Sequence, residues 1–266
     1  MSPQPWMLGA VALSSVALIA GPVSAWARHY VREPFKDEGE SDAGSRSETA
    51  TSEDAADGTT ASAGDSTKPL SEASEPPASL EYPTLKHPGL LGTAPQGLLA
   101  LTLCLLCVWW GSRIGTTAAT LTAIPVFALF GCAGSVDAVA HLLPNRLLGA
   151  TAAWLVACGV VAVAMEPGRA RTALTAALCA LAVGSVSLAL AYVRTGLGLG
   201  DVKLAAVIGL WLGWFDLAFG MCVGVFLGGI AALLLLITRR ASRKDPMAYG
   251  PYLIAGALLT WPLAIV

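Results

Sequence analysis

The sequence predicts an all-α, polytopic membrane protein. Three observations predict it. Of its 266 residues 55% are hydrophobic. Only 13% are charged, about half the share usual in a soluble domain. Of its 18 acidic residues, 13 fall between Glu33 and Glu81. Away from that stretch the chain is a succession of apolar runs of membrane-crossing length.

A crossing helix needs roughly 20 apolar residues. About eight spans follow, at 6–27, 96–111, 115–134, 147–165, 172–194, 203–215, 217–237 and 250–266. The run from 203 to 237 is too long for one crossing, and Gly213-Trp-Phe-Asp216 offers a turn with an interfacial aromatic, so it divides there. The first run, starting at Trp6, has no Lys or Arg before it, and is expected to be a retained span rather than a signal peptide. Three regions result: 1–30 as the first span, 31–94 as an acidic loop, and 95–266 as the main membrane body. The loop from Glu38 to Ala78 is rich in Ser, Thr, Ala, Gly, Asp and Glu and carries no aromatic residue. Such a composition cannot bury enough apolar surface to offset chain ordering, and disorder is expected.

Alternating spans place 13 Lys and Arg residues on one side of the membrane. They leave Arg113, Arg169 and Arg171 on the other. The positive-inside rule assigns the first side to the cytoplasm, with both termini outside. No basic patch interleaved with aromatics points to nucleic acid. The six cysteines all lie in apolar runs, where free Cys behaves as a small hydrophobe. Cys104-Leu-Leu-Cys107 has no second pair or nearby His to complete a zinc set, so no metal is expected.

Five acids lie outside the loop: Asp137, Glu166, Asp201, Asp216 and Asp245. An acid near the bilayer is a functional candidate by default. Glu166 and Asp216 fall in outer turns and Asp245 in a basic loop, where solvation or local charge balance accounts for them. Asp137 and Asp201 sit at helix–loop junctions on the cytoplasmic side. Two carboxyls within reach of each other do not both ionise cheaply. One then takes a proton from water while the other donates to a substrate carbonyl, and their titration belongs to the pair. Gly198 and Gly200 permit a close backbone approach beside Asp201. The competing reading of Asp201 is a helix N-cap. Lys203 either steers the pair or snorkels. His141 falls on the Asp137 face if that helix continues, and reads as a solvated interfacial group. Gly250-Pro251 shapes a pocket or simply starts a helix.

Asp137, followed by Pro144-Asn145-Arg146-Leu147, resembles the first signature of the prepilin peptidases (type IV leader peptidases). Gly198-Leu-Gly200-Asp201-Val-Lys203-Leu resembles their second, the GxGD motif. Tyr249-Gly250-Pro251-Tyr252-Leu253 resembles a third segment, in the same order. The resemblance covers about 95–266 and is weak at 21–30. It implies a membrane aspartic endopeptidase of the inner membrane. Such an enzyme cuts the basic leader of prepilins or pseudopilins at the cytoplasmic face, with Asp137 and Asp201 as the catalytic pair. Proteolysis of this kind needs no cofactor.

Some members also methylate the new N-terminus with S-adenosylmethionine. The loop here lacks the paired zinc-binding cysteines many members carry, which puts that second activity in doubt. Gly21-Pro-Val-Ser-Ala replaces the usual Gly-Ser-Phe-Leu-Asn, and Ala248 stands where Pro is common. The alternatives are a transporter subunit or an inactive pilus or secretion assembly factor. The sequence leaves the particular pilin-like substrate and the oligomeric state open.

Overall fold

A computed structural model describes residues 5–32, 88–114, 117–193, 198–238 and 248–264. Of the expected acidic loop, 31–94, residues 33–87 lie outside them, as do Arg194 and the basic stretch with Asp245, while its edges at 31–32, 88–91 and 93–94 are helical. The described residues are helical, with no strand among them. Helix α1 (Pro5–Leu18) and α2 (Ser24–Arg32) are joined by a π-helical turn, Ile19–Val23. A 3-10 turn, Pro88–Leu91, leads to α3 (Thr93–Ile114), α4 (Thr117–Ala140) and α5 (Asn145–Met165). Then come α6 (Ala170–Tyr192), α7 (Leu199–Leu212), α8 (Trp214–Ile237) and α9 (Gly250–Ala264).

Six segments are long and apolar enough to cross a bilayer: Trp6–Val31, Thr93–Ile114, Thr117–Ala140, Asn145–Met165, Pro167–Tyr192 and Trp214–Ile237. The chain is a multi-pass membrane protein. The other two expected spans are helices, but α7 has 14 residues and α9 has 15. At 1.5 Å per residue each is about 21–23 Å long, short of the ~30 Å hydrocarbon core. The expected division of the long run is present: α7 ends at Leu212 and α8 begins at Trp214. Between them Gly213 takes φ 76°, a conformation that a side chain would strain.

In the first span the π turn follows from Pro22, which has no N–H to offer the helical ladder. Ser24 Oγ donates to the carbonyls of Ala20 (2.7 Å) and Gly21 (3.0 Å), satisfying acceptors at the irregularity.

Helix α4 is the centre of the bundle, flanked by α1, α3, α5 and α9, and 78% of its most apolar window is buried. The outer helices turn large apolar residues outward: Leu98 and Leu105 on α3, Leu181 on α6, and Phe226 and Leu233 on α8 are all exposed. Small residues face inward. This suits a lipid environment, where apolar burial does not drive association and close backbone packing does. Gly220, Gly224 and Gly228 form a strip on α8 that receives α9. A Cβ at 224 would lie 2.9 Å from Leu253 Cα and from the Tyr252 carbonyl oxygen. A Cβ at Gly256 would lie 2.8 Å from Gly224 Cα.

Four aromatics tie α4, α7 and α9 together. Phe127 meets Trp261 edge-on at 5.3 Å and Trp211 at 5.9 Å, Phe130 meets Trp211 at 5.9 Å, and the two indoles stack at 6.3 Å. Such pairs contribute about 0.5–1.5 kcal/mol each beyond their area.

The α8–α9 contact is testable. Gly224→Leu is expected to destabilise the protein by about 1–3 kcal/mol through overpacking. Gly229→Leu, on open space one helical step from the strip, should melt like wild type. Thermal unfolding in detergent checks both; equal melting of Gly224→Leu and wild type would refute the close packing.

Candidate active site

Three chain segments from distant parts of the sequence meet at one end of the bundle: the end of α4, the start of α7 and the start of α9. Phe127 precedes Asp137 by ten residues on α4. Trp211 follows Asp201 by ten on α7, and Trp261 follows Gly250 by eleven on α9. The aromatic cluster therefore holds the three helices together about 15 Å from that end.

Asp137 lies in the last turn of α4, and its residue is only 5% exposed. The backbone N–H of Gly250, the first residue of α9, is directed at its carboxyl. The first N–H groups of a helix have no partner within it and carry the positive end of the helix dipole. Asp137 thus caps α9 from another helix. Gly250 makes this possible: a Cβ there would collide with Asp137 Oδ2 and come within 2.6 Å of Leu143 Cδ1. Pro251 follows in the first turn, where its missing N–H costs little. Asp137 Oδ2 is buried and has no hydrogen-bond partner among the described residues.

Asp201 is not the N-cap of α7. That position is Gly198, in extended conformation, and Asp201 stands in the first turn, half-buried. Its carboxyl folds back to the Gly198 backbone N–H, the reach of a capping-box acid. Gly200 packs against the loop after α4, where a Cβ would lie 2.9 Å from Leu143 Cβ. The carboxyls of Asp137 and Asp201 are near enough to interact electrostatically. The two acids singled out from 64 positions apart do converge.

The loop 141–144 joins these parts. Helix α4 does not continue through His141, which takes φ 53° with its N–H bonded to the Asp137 carbonyl at 2.8 Å. His141 is exposed and serves as the left-handed terminator of α4, a conformation His tolerates better than most residues. Leu143 was not singled out in the sequence, yet it packs against both Gly200 and Gly250. A leucine in an apolar chain gives no sign of that placement. Pro144 is buried and extended, and starts α5. The Lys203 Nζ donates to Asn145 Oδ1 at 2.8 Å.

Other polar residues lie apart from the pair. Glu166 is exposed and bonded to Arg169 at 2.6 Å. Gln96, almost fully buried, donates to the Leu90 carbonyl (3.0 Å) and to Ser135 Oγ (2.7 Å), fixing the 3-10 turn against α4. At the end of the bundle away from the carboxyls, an apolar groove of about 490 Å³ between α5 and α6 is lined by Leu155, Cys158, Ala176 and Trp211 among others. It touches neither acid. The pair is therefore found by its chemistry rather than by this groove.

Comparison with known proteins adds an independent line. Residues 122–233 match the model of the type IV leader peptidase family. The "Prepilin leader peptidase/N-methyltransferase" of Bacillus subtilis is 28% identical over 163 residues, 60% of this chain and 62% of that protein. The proteins of the same name from Aeromonas salmonicida and Pseudomonas aeruginosa are each 39% identical over 70 residues, 26% of this chain and 24% of theirs. The chain thus spans about a quarter to three fifths of the length of these relatives. No solved structure matches. The matched region contains both acids and the loop between α4 and α5, and over 122–233 the chain is similar to the type IV leader peptidase family.

Proposed function

We propose that the chain is an aspartic endopeptidase that removes the leader of a prepilin or pseudopilin at the cytoplasmic face of the inner membrane, with Asp137 and Asp201 as the catalytic pair. The observation that carries this is the meeting of those two carboxyls, from helices α4 and α7, at one end of a membrane bundle. The pair shares one proton. The ionised carboxylate takes a proton from water, and the water oxygen bonds to the scissile carbonyl carbon. The protonated partner donates to the carbonyl oxygen. Collapse of the tetrahedral centre breaks the C–N bond, and a proton passes to the leaving nitrogen. The unpartnered Asp137 Oδ2 is suited to hold the attacking water. Gly198, Gly200, Gly250 and Pro251 allow the close approaches around the pair, and Pro144 fixes the loop beside it.

The cytoplasmic orientation, with both termini outside, rests on the 13-to-3 division of basic residues, in which the short helices α7 and α9 count as crossings. Arg146 and Lys203 stand at the carboxyl end of the bundle, and Arg146 lies over the Trp26 ring at 6.0 Å, placing the end of the first span there too. We assign the catalytic body to 95–266, with 1–30 as an adjoining span and 31–94 as a cytoplasmic loop. The proposal covers proteolysis, which two carboxyls perform without a cofactor. The methyltransferase activity in the relatives' name, which would use S-adenosylmethionine, is said of those proteins.

Asp137→Asn and Asp201→Asn should each abolish cleavage of a membrane-inserted prepilin while the protein inserts normally. Product at the wild-type rate from either variant refutes the paired-acid mechanism.

Gly250→Ala should lower the cleavage rate at least tenfold, because the new methyl displaces the Asp137 carboxyl, and misplacement on the ångström scale carries up to a hundredfold loss. Gly159→Ala, on open space in α5, is the control and should cleave normally.

The dependence of kcat/KM on pH should be bell-shaped, since both the singly protonated pair's gain and its loss of a proton stop the reaction. A profile with a single limb would mean that one acid is not required.

A further inference from the structure

We propose that Lys203 is a positioning residue whose bond to Asn145 latches the start of α7 onto the start of α5 and so sets the separation of the two carboxyls. This rests on the peptidase reading above. Lys203 follows Asp201 by two residues, which turns its side chain to nearly the opposite side of α7 from the acid. Its ammonium bonds the amide oxygen of a residue 58 positions earlier, at 2.8 Å. Asn145 opens α5 directly after Pro144, eight positions after Asp137.

That short stretch is held at three points. The His141 N–H is bonded to the Asp137 carbonyl. Leu143 is wedged against Gly200 and Gly250. Asn145 is bonded to Lys203. The first contact is internal to the α4 end, and the second is apolar and free to slide. The third is the directional bond from this stretch to α7, and the charge on its donor strengthens it. The shared proton holds only at a short separation of Asp137 and Asp201, and the latch restrains their helices from outside the pair. Lys203 touches no reacting atom in this account.

The test uses the detergent-purified full chain. The substrate is a synthetic peptide with a basic leader, a Gly and an apolar helix. The variants are Lys203→Met, Asn145→Leu, the double variant and Lys203→Arg. Each single variant is expected to lower kcat about tenfold or more with little change in KM, the signature of misplaced catalytic groups rather than lost binding. The double variant should be no worse than either single one, and Lys203→Arg, which keeps a charged donor, should recover most of the rate. The two limbs of the pH profile should also draw together in Lys203→Met, because carboxyls held farther apart couple more weakly. Normal kcat in Lys203→Met, or multiplying losses in the double variant, would overturn the latch while leaving the peptidase reading intact. Absence of cleavage by wild type would instead sink that reading. The latch is then judged on thermal unfolding of the same proteins: non-additive shifts support it and additive shifts overturn it.

Discussion

The seat of the Asp137 carboxyl on the first N–H of α9 is the contact on which the rest of the site depends. A carboxyl this buried needs a compensating group. Here that group is a helix N-terminus, which supplies an unsatisfied donor and a partial positive charge together. The arrangement fixes what stands around it. Residue 250 has no room for a side chain, because the carboxyl fills that space. Helix α9 must then be pinned at its start, and the glycine strip of α8 and the aromatic cluster with α4 and α7 pin it along its length.

Magnitudes show why several elements share this task. Two like charges about 5 Å apart repel by roughly 3 kcal/mol at an effective dielectric of 20. One hydrogen bond with a charged donor contributes about 1.5–3 kcal/mol when well formed, and less when exposed, as the Lys203–Asn145 bond is. The bond therefore cannot restrain the pair alone. The four aromatic contacts, acting about 15 Å away, bring a comparable sum. The cluster sets the direction of the three helices and the latch trims their ends. This division is mechanical: packing fixes the coarse geometry through many weak contacts, and one directional bond beside the pair fixes the last fraction of an ångström.

The parts legible in sequence were those with local signatures. Apolar runs marked the helices, and the turn at Gly213 was visible because the 203–237 run exceeded one crossing. Asp137 and Asp201 stood out because acids are rare in such a chain. The start of α7 was not legible: the helix begins at Leu199, four residues before the expected 203, because Leu199-Gly200-Asp201 carries no apolar run to mark it. Leu143 was hidden because its importance lies in a space left empty by two glycines from other helices. The bond of Lys203 was hidden for a related reason: a lysine at a helix start has many partners within reach, and only the fold selects Asn145. His141 is exposed, as its reading as a solvated group has it, but its left-handed turn was not legible, since nothing local marks where the helix stops.

The structural and chemical readings of the two aspartates were set against each other in the sequence, and the geometry shows that they need not compete. Each carboxyl is directed at the N–H of a helix start: Asp137 at α9, Asp201 at its own α7. A carboxyl has two oxygens, and one backbone bond leaves lone pairs to spare. The cap fixes where the group stands, and lone pairs remain for a second partner. At the start of α9 a group that only capped the helix would be served as well by Ser or Asn, which rank with Asp as caps. Capping therefore accounts for a polar side chain at each place, but not for two ionisable ones near enough to interact at the boundary of an apolar bundle, where charge is costly. What capping leaves unexplained is the shared capacity to hold and release a proton, and that is the property a pair of carboxyls brings to hydrolysis.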